Sequence, residues 1–292
     1  MLTIKRLSEC TFLEAVKVWN RGFEGYFFPV NLDLTAFIQR MANEGLSPEH
    51  SVVAFDKEQA VGFVLNGIRT SGDQKIAWNG GTGVIPEYRH QGVGRQLMQA
   101  TLDVYREEQV NVATLEAIKA NEKAIQLYQK MGYKIVDELV FYTHTGVLPM
   151  EGGQLLDGVT VQKGVPQDVR SLGFYRERVA WQTQWASVRD GESLILMNQS
   201  GEQLAYALFK RTFDPEGKQT GIVLFQAEVN PSCLDAQSIM RCLLSEVYVP
   251  LDQSYQRSTV NTPASNELLT AVLCNWGFTK RAEQVWMTRG MD

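Results

Sequence analysis

Cysteine is scarce in this sequence, and other marks of a specialised protein class are missing as well. The 292 residues contain four cysteines, which form no C-x-x-C pair and no cluster with the three histidines. This spacing excludes a disulfide-rich scaffold and a zinc finger. We expect the thiols to stay reduced in a cytoplasmic protein that binds no metal.

Long apolar runs and a strong excess of one charge are also lacking. No apolar run approaches the ~18–20 residues that a membrane-spanning helix needs, and the first ten residues lack the apolar stretch of a signal peptide. The formal net charge is −5, whereas nucleic-acid binders usually carry a basic surface. We therefore expect neither a membrane nor a nucleic acid among the partners.

The sequence contains one internal repeat, at a constant offset of 145 residues. Asn121–Tyr133 matches Asn266–Phe278 at its Asn, Glu, Gly and closing aromatic residue. Two unrelated segments can align on apolar pattern alone, but here several polar and glycine positions coincide at one offset. A period this long is far above that of a solenoid. It indicates two similar domains, residues 1–145 and 158–292, joined by a Gly-rich linker over 146–157.

Hydrophobic periodicity predicts the elements of the first copy in the order strand, helices, three strands, helix, strand, helix, strand. We expect the second copy to follow the same course, including a turn at 214–217 between two strands. The predicted strands of the first copy are Leu2–Arg6, Ser51–Phe55, Ala60–Asn66, Lys75–Val84, Val112–Ile118 and Ile135–Tyr142.

The segment Gly83–Leu97 is the most informative part of the sequence. A strand ends there, and Arg89-x-x-Gly92-x-Gly94 opens a helix. The first N–H groups of a helix have no intrahelical partner and, together with the helix dipole, bind anions. Glycine lets a phosphate approach the backbone, and Arg89 and Arg95 add positive charge. A tight strand-to-helix turn is the alternative, because neither the Rossmann nor the P-loop glycine pattern is complete.

This stretch, Val84–Met98, resembles a signature of the GNAT superfamily of acyl-CoA N-acyltransferases, and Leu115–Tyr133 resembles the second signature. The resemblance covers residues 1–145 well and 158–292 weakly. It implies an α+β fold of two tandem domains, each with a mixed, mostly antiparallel sheet that is flanked by helices and splays apart beside the cofactor strand. It also implies an N-acetyltransferase that moves an acetyl group from acetyl-CoA to a primary amine by direct transfer in a ternary complex.

The resemblance assigns residues to the cofactor. Backbone N–H groups from His90 to Arg95 would bind the pyrophosphate, and Val84 would pair its backbone with the pantetheine arm. His90 is also a candidate base, although its place in the loop favours the backbone role. Asn121 begins a helix, where it serves as an N-cap, as a contact to CoA or water, or as both. The predicted cofactor-binding residues are Val84, Arg89, His90, Gln91, Gly92, Val93, Gly94, Arg95, Asn121 and Tyr128.

Acetyl transfer to an amine needs a base for the ammonium and an acid for the CoA thiolate. The resemblance implies that Tyr128 is the acid, and a tyrosine packed in the core is the alternative. Glu116 lies in an apolar strand, where a carboxylate is costly unless it is paired or solvated. The resemblance implies that Glu116 is the base. The alternative is that Glu116 is only an ion-paired or solvated side chain, and Glu24 is the second candidate for the base.

The sequence does not name the acceptor. The resemblance implies that the aromatic segment Phe23–Val30 covers the acceptor site, where its rings would hold an apolar or cationic group. The alternative is that the rings pack over the edge of the sheet. A small-molecule amine and a peptide or protein amine are both open, and a non-catalytic acyl-CoA sensor is a further alternative. The predicted substrate residues are Glu24, Tyr26, Phe27, Trp78 and Asn79.

The second copy lacks the residues that would carry the chemistry. At the offset of 145 it has no glycine in the loop, and Asp235 would repel a pyrophosphate. We expect residues 158–292 to be catalytically silent and to support the first domain, shape the acceptor pocket or form a contact in a homo-oligomer. Arg89, Gly92, Gly94, Glu116 and Tyr128 correspond to Leu234, Gln237, Ile239, Asn261 and Leu273.

Overall fold

The computed structural model describes residues 2–149 and 155–291, which fold into two compact units. The first unit holds the chain up to Val136 together with the residues from Trp286 onwards, and the second holds Asp137–Val285. This division differs from the predicted boundaries at 145 and 158, because the last strand of each copy is divided between the units. Part of the predicted linker, residues 150–154, lies outside the described residues.

The first unit is built on a mixed sheet in the order β1-β2-β3-β4-β5-β13. Neighbouring strands from β1 to β4 are antiparallel, whereas β4 and β5 are parallel. The strands β2 and β3 are longer than predicted, because their backbone pairing continues to Leu46 of β2 and Gly67 of β3. The ranges are β1 (Leu2–Arg6), β2 (Leu46–Asp56), β3 (Gln59–Ser71), β4 (Gln74–Val84), β5 (Val112–Ile118) and β13 (Thr279–Gly290), of which the residues from Trp286 belong here.

Helices cover both faces of this sheet. Successive side chains of a strand point to opposite faces, and a Cβ on Gly62 would meet Leu97 of the third helix while Phe63 packs against Gly22 of the first. A capping box between Thr11 and Glu14 begins the first helix. The helices are α1 (Phe12–Gly22), α2 (Leu34–Glu44), α3 (Val93–Glu107) and α4 (Glu122–Lys130).

The second unit repeats the plan, with a mixed sheet in the order β6-β11-β10-β9-β8-β7 and the short β12 paired to β6. Again one central pair, β10 and β11, is parallel. The unit contains β6 (Lys134–Gly146) from residue 137, β7 (Thr160–Gly164), β8 (Glu192–Met197), β9 (Gln203–Phe213), β10 (Gln219–Val229), α5 (Ala236–Val247), β11 (Tyr255–Thr259), β12 (Thr262–Pro263), α6 (Glu267–Asn275) and β13 up to residue 285.

The second unit departs from the predicted course between β7 and β8. Where the first copy has α1 and α2, this segment has two short 3-10 helices, Pro166–Ser171 and Trp181–Thr183. Gly173 follows the first of them closely and is a poor helix former. The prediction of an identical course is therefore wrong for this segment. The predicted α+β class and the two similar units are confirmed.

Of the helices in the described part of the chain, none has the length and apolar character that a membrane span requires.

Candidate functional site

The parallel strands β4 and β5 separate towards their C-terminal ends and form a cleft. Their pairing ends at Asn79–Leu115, whereas the strands continue to Val84 and Ile118. Gly80 is the extra residue of a β-bulge in β4 at the point of separation, and such bulges bend the strand that carries them. Several of the cofactor-binding and catalytic residues predicted from the sequence lie around this cleft.

The start of α3 lies at one side of this cleft and is open to an anion. Gly92 is the N-cap in the left-handed conformation, with φ +81°, and it makes no side-chain cap to the helix. A Cβ on Gly94 would lie 3.3 Å from Leu127, so the second glycine lets α4 pack close to the helix start. The first N–H groups of α3, from Val93 to Arg95, therefore have neither an intrahelical partner nor a side-chain cap. Their geometry fits a pyrophosphate.

Arg89 lies beside this loop but its guanidinium binds backbone carbonyl groups. Its Nε donates to Val84 O at 2.9 Å, and its Nη2 donates to Glu24 O at 2.8 Å and Gly22 O at 3.2 Å. The side chain thus ties the loop to the end of α1. Arg95 is exposed instead, so it is the cation of this pair that a phosphate can reach from solvent.

The backbone of Val84 faces the cleft. Ile85 N–H donates to Val61 O in the neighbouring strand, and N–H groups alternate sides along a strand. The N–H of Val84 therefore points away from β3, while its carbonyl already accepts from Arg89. The Val84 N–H is therefore the group that fits the predicted backbone pairing with the pantetheine arm.

Tyr128 points from α4 into the same region and is 7% exposed. Burial raises the pKa of its hydroxyl, and a hydrogen bond with the Thr82 side chain opposes that rise. The hydroxyl therefore keeps its proton at neutral pH and is able to act as an acid. Thr82 was not predicted, although it lies within the Gly-rich end of β4 that the sequence shows beside the signature.

The aromatic segment after α1 reaches this tyrosine. Tyr26 forms a side-chain hydrogen bond with Asn121, and burial, together with Tyr128 nearby, raises its pKa to about 12. Its ring packs edge-on against Phe23, Phe27 and Phe28, with centroids 5.0 to 5.4 Å away. Phe23 packs on Phe63 of the sheet, whereas Phe27 and Phe28 are exposed.

Asn121 has two partners besides any ligand. Its side chain accepts from Ala124 N–H at 3.3 Å and so caps α4, and it also bonds Tyr26.

Glu116 lies across the cleft on β5. Trp78 Nε1 donates to its Oε2 at 2.6 Å, and Trp78 is 2% exposed. Glu24, the second candidate base, is exposed and lies 3.5 Å from Arg21 in an ion pair. The structure thus places Glu116 and not Glu24 between the separated strands.

Asn79 turns into the interior, where it is 4% exposed. Its side chain donates to Thr82 at 2.8 Å and accepts from Gly81 N–H at 3.0 Å. These contacts lie at the bulge in β4, and the predicted role of Asn79 at the acceptor wall stays a prediction. His90 has φ +63° and is exposed, and Gln91 donates to Glu87 O at 2.6 Å.

The second unit has side chains of its own where the first has an open helix start and glycines. Asp235 caps α5, accepting from Ser238 N–H at 3.1 Å. Gln226 and Glu228 stand at the positions of Gly81 and Gly83. Glu228 accepts from Arg176 at 3.1 Å and from Asn266 at 3.2 Å, and Gln226 donates to Arg176 O at 3.0 Å.

Asn261, which stands at the position of Glu116, is fully buried and donates to Gln182 at 3.3 Å. In the second unit, the side chains of Gln226 and Glu228 therefore stand at positions where the first unit has glycines without side chains. Within the described residues of both units, no group of three or more His, Cys, Asp or Glu side chains is placed to hold a metal ion.

Comparison with known proteins agrees with this geometry. Residues 13–133 match the model of the Acetyltransferase (GNAT) family. This match lies within the first unit. The matched stretch contains the helix start at Gly92, the carboxylate of Glu116 and the hydroxyl of Tyr128. This chain is also 31% identical to N-alpha-acetyltransferase 30 of Schizosaccharomyces pombe (strain 972 / ATCC 24843) over 87 residues. Those residues are 30% of this chain and 58% of that relative. The match thus spans less than two thirds of the relative.

Solved structures share the fold over the whole chain. A GCN5-related N-acetyltransferase from Sphaerobacter thermophilus aligns with a TM-score of 0.67 at 14% identity, over 99% of this chain and 96% of that one. A tandem GNAT protein from the clavulanic acid biosynthesis pathway aligns with a TM-score of 0.63 at 13% identity, over 100% and 99%. At these identities the likeness concerns the fold alone, and it extends to the tandem arrangement of two GNAT-like units.

Proposed function

We propose that the first unit is an N-acetyltransferase that moves an acetyl group from acetyl-CoA to a primary amine by direct transfer in a ternary complex. The observation that carries the proposal is the meeting, in one cleft, of an uncapped helix start at Gly92 and the buried, protonated hydroxyl of Tyr128. The two alternative interpretations, a tight turn at Gly92 and a core tyrosine at Tyr128, would each explain one of these features but not why both occur in one cleft.

The residues of the cleft fit acetyl-CoA. N–H groups from Val93 to Arg95 would hold the pyrophosphate, Arg95 would add a cation, and the Val84 N–H would pair with the pantetheine arm. Acetyl-CoA supplies the acetyl group as a reactive thioester. Arg89 contributes by holding the loop, since its guanidinium is bonded to three carbonyl groups.

Two side chains handle the protons. Tyr128 gives a proton to the thiolate that leaves, because burial keeps its hydroxyl protonated at neutral pH. Glu116 takes a proton from the ammonium of the acceptor, whose nitrogen then attacks the acetyl carbon. A positioned acid or base typically contributes ~10²–10⁴-fold to the rate.

The acceptor is the finer part of the proposal. A small-molecule amine is our first candidate. The similarity to N-alpha-acetyltransferase 30 supports a second candidate, a peptide N-terminus, within the matched 87 residues. The exposed rings of Phe27 and Phe28 lie beside the cleft and would contact either acceptor.

The test is CoA release with a panel of small amines and of peptides with free N-termini, by the wild type, Tyr128→Phe and Glu116→Gln. We expect turnover by the wild type and a loss of about 10²-fold or more in each variant. Unchanged rates in both variants would remove the assigned roles. Tight acetyl-CoA binding without turnover on any amine would favour the acyl-CoA sensor.

We propose that the second unit is catalytically silent. Its helix start is capped by Asp235 and its cleft contains the ion pair between Arg176 and Glu228. A carboxylate at a helix start takes the N–H group that a phosphate would need, and it repels the phosphate charge.

A further inference from the structure

Trp78 and Glu116 form a hydrogen-bonded pair at the point where β4 and β5 separate. The indole Nε1–H donates to Glu116 Oε2 at 2.6 Å. Trp78 is 2% exposed, so its N–H is shielded from water. A short hydrogen bond from a buried donor fixes the direction of the carboxylate that accepts it.

The register of the strands explains why these residues meet. Trp78 is opposite Thr114 in the parallel pair of β4 and β5. Glu116 lies two residues beyond Thr114 and so on the same face of the sheet. Backbone pairing ends one residue after Trp78, which leaves the indole ring directly beside the opening that Glu116 faces.

The β-bulge provides the space for the ring. A Cβ on Gly80 would lie 2.6 Å from Cζ3 of Trp78 and 2.8 Å from Cδ2 of Leu46. Arg40 Nη2 donates to Gly80 O at 2.6 Å and holds the bulge in place. Gly80, Arg40 and Trp78 therefore form one support behind the carboxylate.

We propose that Trp78 is a positioning residue for Glu116, an inference that rests on the proposed acetyl transfer. The indole N–H is a donor only, so it favours the ionised carboxylate, which accepts, over the protonated acid. Glu116 in this form takes a proton from the acceptor ammonium, and the freed lone pair of nitrogen forms the new bond to the acetyl carbon. The role differs from the predicted one, in which Trp78 lined the acceptor wall.

The pair itself is tested without any turnover. The six tryptophans of the full chain give few indole N–H signals in a ¹H–¹⁵N NMR spectrum, and Trp78→Phe identifies the signal of Trp78. We expect this signal to move upfield in Glu116→Gln, and to move upfield in the wild type as acid protonates Glu116. The matched control is Trp19, whose Nε1 donates to the carbonyl of Val30 at 2.8 Å. Equal behaviour of the two signals would overturn the pair.

The positioning role is tested by the pH dependence of kcat/KM with acetyl-CoA and the best acceptor of the amine panel. Trp78→Phe keeps an aromatic ring and removes the N–H, so we expect the acidic limb to move to higher pH. Gly80→Ala keeps the N–H but displaces the ring, and we expect the same direction of change. Acidic limbs at the wild-type pH in both variants would overturn the role.

Failure of the proposed function gives a different result. If Glu116→Gln keeps the wild-type rate while its Trp78 signal lies upfield of the wild-type position, the assignment of the base fails and the pair stands. If Glu116→Gln loses activity while the Trp78→Phe pH profile is unchanged, the base stands and the positioning role fails.

Discussion

At the scale of the residue, Arg89 and Arg95 flank one helix start but make different contacts. The guanidinium of Arg89 binds three backbone carbonyls, whereas Arg95 is exposed. The sequence could not separate them, because both are cations next to the same glycines. Only the fold shows that the end of α1 presents its carbonyls to Arg89.

This difference gives a prediction. Arg95→Ala should weaken acetyl-CoA binding on the order of tenfold and leave the thermal midpoint of the free protein unchanged. Arg89→Ala, in contrast, should lower the thermal midpoint of the free protein, because each hydrogen bond from a charged donor contributes about 1.5–3 kcal/mol to stability. Calorimetric titration and thermal unfolding of both variants give the two readings. An Arg89→Ala protein of wild-type stability would contradict the role of Arg89 in holding the loop against the end of α1.

Gly92 offers a second prediction at this scale. Gly92→Asp would place a carboxylate at the helix start, where α5 has Asp235, and Gly92→Asn has the same shape without the charge. Asn and Asp both tolerate the left-handed conformation. We expect Asp to weaken acetyl-CoA binding at least about tenfold more than Asn, because it places a negative charge beside the pyrophosphate. Equal affinities in the two variants would place the pyrophosphate elsewhere.

At the scale of the element, the strands bounded by clear turns could be predicted well. The ranges of β1 and β5 agree with the sequence to the residue, because β5 begins and ends with an apolar residue and β1 begins with one. The added residues at the start of β2 and at the end of β3 are mostly polar, which leaves little hydrophobic signal. The pairs Trp78–Glu116 and Tyr26–Asn121 join distant elements, so local spacing could not indicate them.

The parallel pair of the second unit contains a buried carboxyl that gives an element-scale prediction. Burial raises the pKa of Glu228 above 4.5, against the opposing effect of Arg176 and Asn266. A carboxyl with a raised pKa binds more protons in the folded state, so it reduces stability as pH rises through the interval above 4.5. We expect Glu228→Gln to gain thermal stability relative to the wild type as pH rises from 4 to 7.

Asp235 is the matched control for this measurement. Hydrogen bonds from Ser238 lower the pKa of its carboxyl, so its contribution to stability is present above about 3.8 and is lost as pH falls. Asp235→Asn should therefore lose stability relative to the wild type as pH rises. If calorimetry shows that the stability of both variants relative to the wild type changes in the same direction as pH rises, the raised pKa assigned to Glu228 is wrong.

At the scale of the whole molecule, the two copies are not two separate stretches of chain. The repeat in the sequence indicates domains in chain order, but the first unit needs the residues from Trp286 onwards, which supply the strand beside β5. Nothing in a sequence repeat distinguishes a strand that stays with its own copy from one that does not. The number of units could therefore be predicted, and their boundaries could not.

A chain that ends at residue 145 tests this division. It would expose the edge of β5 as unpaired backbone, and an open edge of this kind promotes aggregation. We expect it to be less soluble and to melt earlier than the full chain in thermal unfolding. A soluble fragment with the stability of the full chain would contradict the assignment of β13.

We infer that, of the two similar units, the first binds acetyl-CoA. The direct measurement is a calorimetric titration of the full chain with acetyl-CoA, repeated with Gly92→Asp. We expect one bound molecule per chain in the wild type and loss of that binding in the variant. Between the described parts of the two units, the first has an uncapped helix start beside the cleft, whereas the helix start of the second is capped by Asp235. Two bound molecules per chain, or a single one that survives Gly92→Asp, would contradict this inference.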